Sequence, residues 1–273
     1  MAFVLGIYTS DPNLLRCELS RLHPELEGTA APEPMGAGWY AEENVLLQRY
    51  SARARPDRLD ELGGVLESDA LLVHSGPLPL GLSLEENTQP FRYRQWMFAA
   101  AGAVAAPERL RARVMDSLPE HLARAVRGST AHELAFALFL SALRDIGRMD
   151  DGQLEAMVAA GVMGRAMRQF ETHVTESGGK MPGLVTVATN NRVLVAARVG
   201  EVPLFYKLLE GSASCAPCEL DGSAEAEPQV RAHLRRRTVA VATQVKDARN
   251  WIAVEPGSAV AVDRKLNLEQ VGF

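Results

Sequence analysis

A helical block flanked by strand-rich segments is the feature that most restricts the folds open to this chain. The block runs with breaks over residues 107–175, and Pro107 suits the first position of a helix. Apolar residues then recur with a period near 3.6 until Pro119 interrupts them. Residues 132–143 are almost continuously apolar, and residues 151–173 are apolar on roughly one side. This pattern predicts amphipathic helices that pack on a sheet.

Short strands are predicted before the helical block. Apolar runs that are bounded by turn residues are typical of strands. Clusters of proline and glycine mark the loops between them. The predicted elements are strands at residues 3–8, 45–50, 71–74 and 93–99, a helix at 14–22, and irregular loops at 29–34 and 76–86.

The C-terminal third is predicted to consist mainly of strands. Residues 184–189 and 193–198 are expected to form a hairpin, because the asparagines between them tolerate the positive φ of a tight turn. A second pairing is expected between residues 202–209 and 238–243, which are separated by a polar loop. Further short strands are predicted at residues 250–254, 259–263 and 265–271.

The composition is typical of a globular protein, with 47% hydrophobic and 23% charged residues in a chain of 273. A formal net charge of -5 gives no electrostatic reason to expect DNA or RNA as a partner. The basic run at residues 235–237 is expected to be a solvated edge beside a strand. No segment resembles a signal peptide or approaches the roughly 20 apolar residues that span a bilayer. We therefore expect a cytoplasmic protein that binds neither nucleic acid nor membrane.

The three cysteines, an odd number, do not indicate a disulfide framework. Cys17 is expected in the core, on the first helix. Cys215 and Cys218 form a Cys-x-x-Cys pair, which is found in redox centres and as half of a zinc site. The pair lacks the strand-helix context of a redox motif, and His233 is the only further ligand nearby in the sequence. We therefore favour two exposed thiols in a variable hairpin loop, and we expect no metal and no cofactor.

Five short motifs follow one another along the chain. They are MAFVLG at 1–6, GAGWY at 36–40, NTQPF at 87–91, RQWMFA at 94–99 and GSTAHE at 128–133. In order and spacing they resemble motifs of the class II glutamine amidotransferases. The resemblance implies an α+β fold, the four-layer α-β-β-α sandwich of N-terminal nucleophile hydrolases, in which two stacked, mainly antiparallel sheets lie between helical layers. It also implies a single domain over residues 1–273, with the helical block at about 107–175.

The chain departs from that family where the chemistry would be done. The family's nucleophilic cysteine, which its own α-amine assists, is replaced by Ala2. Gly76 stands where the family's arginine would form two hydrogen bonds with the substrate carboxylate. Ala131 stands where the family's aspartate would pair with the substrate ammonium group. Ala101, before Gly102, replaces the asparagine of the oxyanion hole, a donor whose loss typically costs about 3 to 4 kcal/mol of barrier. The resemblance therefore implies four lost groups and no intact catalytic residue.

This combined loss favours a catalytically inactive amidotransferase-like protein that acts as a binding, scaffolding or regulatory module. The competing interpretation is a glutamine amidotransferase or γ-glutamyl amide hydrolase whose nucleophile at position 2 was removed by engineering, or whose chemistry has moved to other residues. Loss of the other three groups favours natural loss of the activity. A nucleophile removed by engineering, to trap a complex with substrate, would leave in place the groups that bind the substrate. Family members often work beside another subunit, so the resemblance also implies a protein partner or a homo-oligomer.

Three polar residues are candidates for binding near the former cleft. His74 ends a strand, and His132 and Glu133 begin a helix. A histidine and a carboxylate can act as acid and base when they lie within about 3 Å of a substrate proton. The alternative is structural, namely a hydrogen-bonded histidine and a glutamate that interacts with the helix dipole. Replacement of three polar residues by glycine and alanine also predicts a larger cleft for a small ligand that is bulkier and more apolar than glutamine.

Overall fold

The computed structural model describes residues 2–27, 33–62, 66–78, 81–105, 107–222 and 227–273. Two of the predicted loops, at residues 29–34 and 76–86, fall partly outside these residues. None of the described helices is long and apolar enough to cross a membrane.

The described elements follow the predicted order of strands, a helical block and further strands. The strands are β1 (Phe3–Thr9), β2 (Met35–Ala41), β3 (Asn44–Tyr50), β4 (Ala70–Ser75), β5 (Phe91–Tyr93), β6 (Trp96–Ala101), β7 (Gly183–Thr189), β8 (Leu194–Gly200), β9 (Phe205–Leu209), β10 (Ser214–Cys215), β11 (Leu220–Asp221), β12 (Thr238–Ala242), β13 (Ile252–Ala253), β14 (Ser258–Val262) and β15 (Leu268–Gly272). The helices are α1 (Leu15–Leu22), α2 (Leu59–Leu62), α3 (Leu84–Asn87), α4 (Glu108–Ser117), α5 (Glu120–Ala123), α6 (Ala131–Asp145), α7 (Ala156–Glu176) and α8 (Pro228–Arg235). The helical block is thus confirmed as α4 to α7.

The strands form two large antiparallel sheets and one small hairpin. The seven-stranded sheet has the order β13-β9-β12-β1-β4-β2-β3, and the six-stranded sheet has the order β15-β14-β8-β7-β6-β5. Strands β10 and β11 pair only with each other. The predicted hairpin is confirmed as β7 and β8, with Asn191 at a φ of 65° in the turn. The predicted second pairing is confirmed as β9 with β12.

Three apolar cores separate four layers, which confirms the predicted α-β-β-α sandwich. One core lies between α1, α2 and the seven-stranded sheet, one lies between the two sheets, and one lies between the six-stranded sheet and helices α4 to α7. Strand β6 shows how alternation divides the residues between cores. Trp96 and Phe98 face the helices, whereas Met97 and Ala99 face the other sheet.

Gly6 allows the two sheets to approach closely. It lies on β1, and a Cβ atom there would be 2.9 Å from Cγ1 of Val187 on the opposite sheet. The same Cβ would be 2.9 Å from Cγ2 of Val241 on the neighbouring strand β12. Both distances are shorter than real Cβ contacts, so any larger residue would push these side chains apart.

The structure corrects two sequence predictions. Residues 93–99 are not one strand, because Arg94 adopts a φ of 51° and turns the chain between β5 and β6. The loop predicted at 76–86 is not irregular throughout, since its described end enters α3. In the first case a continuous run of apolar residues hid the turn at Arg94. In the second case the prolines and glycines of the loop hid the short helix α3.

The cysteine pair is also placed differently from the prediction. Cys215 is buried and Cys218 is partly buried, so neither is the exposed thiol of a variable loop. The reason is α8, a helix that the sequence analysis missed, which packs beside the β10–β11 hairpin. The turn that carries Cys218 also packs against α1. Cys17 is confirmed as a buried residue of that first helix.

We predict that Gly6→Ala lowers the free energy of unfolding by about 1–3 kcal/mol, because the added methyl overpacks the layer between the sheets. Gly161→Ala is the matched control. Gly161 lies on α7, where an added Cβ would have its nearest contact at 3.5 Å, to the end of the Arg165 side chain. Removing a helix glycine there is expected to stabilise by about 0.5–1 kcal/mol. Urea denaturation measures both, and equal effects would contradict the role assigned to Gly6.

Candidate functional site

A cavity of about 810 Å³ opens at one end of the layer between the sheets. Strands β1 and β7 begin at this end, and strands β4 and β6 finish there. The described residues that line the cavity are Ala2, His74, Pro77, Leu78, Asn87, Gln89, Gly102, Ala103, Val104, Ser129, Thr130, Ala131, His132, Pro182, Gly183, Glu201 and Val202.

The fold brings together at this cavity most of the positions at which the sequence was expected to depart from the family motifs. Ala2, Gly102 and Ala131 line it. Gly76 lies against Ala2, because a Cβ atom at position 76 would be 2.8 Å from the Cβ of Ala2. Ala101 differs, since it is fully buried in the core between the sheets and the following glycine forms the cavity wall.

His74 is held at the buried side of the cavity by Gln89. The Gln89 Oε1 atom accepts a hydrogen bond from the Ala100 N–H at 2.6 Å, which fixes the orientation of the amide. The amide nitrogen therefore donates, to the Ala100 carbonyl and to Nε2 of His74, each at 3.2 Å. His74 Nε2 is consequently an acceptor and Nδ1 carries the proton. That Nδ1 is buried and has no hydrogen-bond partner among the described residues.

His132 faces the same cavity from the start of α6. Its Nε2–H donates to the Gly102 carbonyl at 3.0 Å, so α6 is tied to the end of β6. Burial, with a smaller effect from His132, lowers the pKa of His74 to about 3. Burial also lowers the pKa of His132, although its bond to Gly102 acts in the opposite direction. Both imidazoles are therefore neutral at physiological pH.

The described wall of the cavity carries no lysine or arginine. Glu201, which is exposed, is its one charged residue. Arg55 lies close in space but on the other face of β4, where its guanidinium donates to the hydroxyl of Ser75 at 3.1 Å. The remaining polar groups are neutral amides, hydroxyls and imidazoles. The described wall therefore offers no cationic side chain to neutralise the carboxylate of an amino acid.

Glu133 is not brought together with the two histidines. It lines a second depression of about 540 Å³, with Arg127 and Phe136. Its Oε1 accepts a hydrogen bond from the Arg127 N–H at 3.0 Å. Burial raises the pKa of this carboxyl group, against the lowering effect of backbone hydrogen bonds. The expectation that Glu133 lies at the former cleft is therefore not met, and the residue secures the turn before α6.

Two amides at the site were not selected as site residues from the sequence. Asn87 accepts a hydrogen bond from the Ser129 N–H at 2.7 Å and donates to the Ser83 carbonyl at 3.0 Å. Together with Gln89 it joins the loop before β5 to the segments that form the cavity wall. Both stand in the NTQPF motif, and the signal that could have identified them is a pair of amides directly before a short strand whose first residue, Phe91, is buried.

No protein-family model matches this chain. A curated yeast protein, the probable glutamine amidotransferase DUG3 of Saccharomyces cerevisiae, is 28% identical over 89 residues. The matched segment covers 33% of this chain and 25% of the yeast protein, so most of both sequences lies outside it.

Solved structures resemble the chain over nearly its whole length. A glutamine aminotransferase class-II domain protein from Silicibacter pomeroyi has a TM-score of 0.63, with 18% identity and 99% of both chains covered. A predicted glutamine amidotransferase from Pseudomonas aeruginosa has a TM-score of 0.55, with 15% identity and 100% of this chain and 99% of that one covered. Glutamine phosphoribosylpyrophosphate amidotransferase from B. subtilis has a TM-score of 0.59 and 12% identity, and the match covers 99% of this chain and 49% of the larger one. The chain therefore has the α+β sandwich fold of the class II glutamine amidotransferases.

Proposed function

We propose that this chain is a single, non-catalytic glutamine amidotransferase-like domain over residues 1–273 that serves as a binding or assembly module. The observation that carries the proposal is the cavity, whose described wall has neither a nucleophile at position 2 nor a cation. A protein partner or a second copy of the chain, and a cytoplasmic location, stay predictions.

The first support is the absence of an activated nucleophile among the described lining residues. The side chain of Ala2 is a methyl group, and the hydroxyls of Ser129 and Thr130 are the remaining candidates. A hydroxyl attacks only when a base lies within hydrogen-bond distance. The Thr130 hydroxyl is buried without a partner among the described residues. Ser129 is held by its backbone N–H, not by its side chain.

The second support is electrostatic. Glutamine would bring a carboxylate and an ammonium group into the cavity, and an unpaired charge out of water is costly. Gly76 supplies no donor for the carboxylate, and a larger residue there would meet the Cβ of Ala2 at 2.8 Å. His74 cannot replace the missing cation, because its pKa of about 3 leaves it neutral. The site therefore does not favour glutamine as a ligand.

A small ligand of other chemistry is the second candidate, because the cavity is large and mostly neutral. Leu78, Val104, Pro182 and Val202 give it apolar walls. His74 also lines this cavity, but its Nδ1–H is buried and has no partner among the described residues. An uncharged ligand suits a described wall whose single charged side chain is the exposed Glu201.

We predict that neither the protein as it stands nor Ala2→Cys releases ammonia from L-glutamine, because restoring the thiol leaves the carboxylate and oxyanion groups missing. Ala2→Ser is the matched control, since it changes the same position without adding a thiol. A coupled ammonia assay measures the activity, with an established glutaminase as positive control. Intact-mass spectrometry must show that Met1 is removed, because the free α-amine has to belong to residue 2.

Full activity of Ala2→Cys, absent in Ala2→Ser, would overturn the proposal and support removal of the nucleophile by engineering. Ammonia release by the unchanged protein would instead show that the chemistry has moved to other residues. Equal melting temperatures of the three proteins would show that an inactive variant is folded.

We predict that part of the stability is lost as the pH falls from about 6.5 towards about 3, because unfolded His74 takes up a proton that the folded chain excludes. Stability rises with pH where the unfolded state binds more protons, so the contribution is fully present above pH 6.5. From pH 7 to pH 5 the free energy of unfolding is expected to fall by about 2 kcal/mol for this reason. His74→Gln, which can still accept from Gln89, should show a correspondingly weaker pH dependence in urea denaturation.

His121→Gln is the control for that experiment, since His121 is exposed on α5. Its pH dependence should match that of the unchanged protein. The same slope in His74→Gln would mean that His74 is not kept neutral by burial.

We predict that metabolites which raise the melting temperature are uncharged, and that L-glutamine does not raise it. Ala131→Trp should abolish these shifts, because an indole at the first residue of α6 would fill the cavity. Ala112→Trp, on the exposed side of α4, is the control that should retain them. A shift with glutamine that survives in Ala131→Trp would place binding outside this cavity.

A further inference from the structure

Four potential metal ligands meet outside the cavity, and we call them the thiol-imidazole cluster: Cys17, Cys215, Cys218 and His233. Their ligand atoms all lie within 4.8 Å of one another. Three of the side chains are buried and Cys218 is partly buried. This is the one such group of histidines, cysteines or carboxylates among the residues that the structure describes. None of the four lines the former cleft.

The spacing within the cluster fits a tetrahedral zinc ion. The Sγ atoms of Cys17 and Cys218 are 3.4 Å apart, and Cys17 Sγ is 3.5 Å from Nε2 of His233. Bond lengths of about 2.3 Å to sulfur and about 2.0–2.1 Å to nitrogen place tetrahedral ligands about 3.8 Å apart for two sulfurs and about 3.5 Å apart for sulfur and nitrogen. The ligand atoms therefore surround a space of the right size with little rearrangement.

The imidazole is oriented as a metal ligand. Nδ1 of His233 donates to the Gln229 carbonyl one turn earlier in α8, at 2.8 Å. This bond assigns the proton to Nδ1 and leaves the lone pair of Nε2 directed at the thiols. Histidines that bind metals almost always donate their other ring N–H to a carbonyl or a carboxylate, which fixes the tautomer. The unprotonated Nε2 therefore faces the thiol of Cys17, where it can accept a hydrogen bond from the thiol or bind a metal.

The cluster joins α1, α8 and the β10–β11 hairpin. Strands β10 and β11 have two residues each, and the chain reverses directly after Cys218 through Glu219, which has a φ of 55°. A two-stranded hairpin of this size is marginal in water. Cys215 and Cys218 connect it to α1 through Cys17, across a sequence separation of 201 residues, and to α8 through His233.

A buried ion pair lies beside the cluster. Glu18 follows Cys17 in α1, and its carboxylate is 2.6 Å from Nε of Arg236, with both side chains at most 2% exposed. The pair joins α1 to Arg236, which directly follows the last residue of α8.

We propose that Cys17, Cys215, Cys218 and His233 bind one zinc ion as a structural site. Four protein ligands complete a tetrahedron, which leaves no open position for a substrate or for activated water. Sulfur-rich tetrahedral sites favour zinc over the harder divalent ions. A disulfide is the competing chemistry, but it would join only two of the three thiols and leave the His233 lone pair unused.

The first test is the metal content of untagged protein, purified without chelators from cells grown with added zinc. Elemental analysis by mass spectrometry is expected to return one zinc per chain. Replacement of zinc by cobalt should produce the visible absorption of tetrahedral cobalt bound to thiolates. Protein that carries no metal, with three free thiols or with a disulfide by intact mass, would overturn the proposal.

Variants identify the ligands. Cys218→Ser and His233→Ala are expected to lose most of the zinc, whereas His121→Gln, which changes an exposed histidine, should retain it. His233→Cys keeps four ligands and should still bind one zinc, which separates loss of a ligand from loss of the fold. Zinc retained in both Cys218→Ser and His233→Ala would place the metal elsewhere and overturn the assignment. If these variants do not fold, the cobalt spectrum of the unchanged protein decides.

A chelator links the site to stability. Removal of zinc should lower the melting temperature of the unchanged protein, and zinc, but not magnesium, should restore it. His233→Cys should respond in the same way. An unchanged melting temperature after complete removal of the metal would contradict a structural role.

Discussion

The close packing of the two sheets is the constraint on which the rest of the structure depends. Gly6, Ala99 and Ala196 keep side chains small in the layer between them. The sheets therefore stay close. Strands β1, β4, β6 and β7 begin or finish at the same end of the layer between them, where the cavity opens. The position of the cavity is set by this packing and not by the groups that would do chemistry. The fold can consequently form without those groups.

The polar groups that remain at the cavity mostly support its walls. Gln89 bonds both backbone groups of Ala100, Asn87 holds the N–H of Ser129, and His132 bonds the carbonyl of Gly102. Each of these bonds joins two segments of the wall. The described wall holds no charged side chain out of water, since its one charged residue, Glu201, is exposed, and this is compatible with a stable fold.

Local signals were predictable from the sequence, whereas non-local ones were not. Asparagine tolerates positive φ, so the turn at Asn191 was visible, but arginine rarely does and the turn at Arg94 was hidden. The motif order selected Ala2, Gly102 and Ala131, which line one cavity. His132 and Glu133 were grouped although adjacent helix residues point about 100° apart. One therefore faces the cavity and the other faces a different depression. Helix α8 is short and mostly polar, so its buried histidine gave little periodic signal.

The two helical layers are unequal, and this gives the thiol-imidazole cluster a physical rationale. The six-stranded sheet is covered by α6 and α7, of 15 and 21 residues, whereas the seven-stranded sheet is covered by α1 and α2, of 8 and 4. A thin layer buries less apolar surface, and its short helices are marginal unless packing holds them. A metal that ties α1 to α8 and to the β10–β11 hairpin would supply a cross-link on this side. Its ligands come from distant parts of the chain, because only the folded topology brings them together.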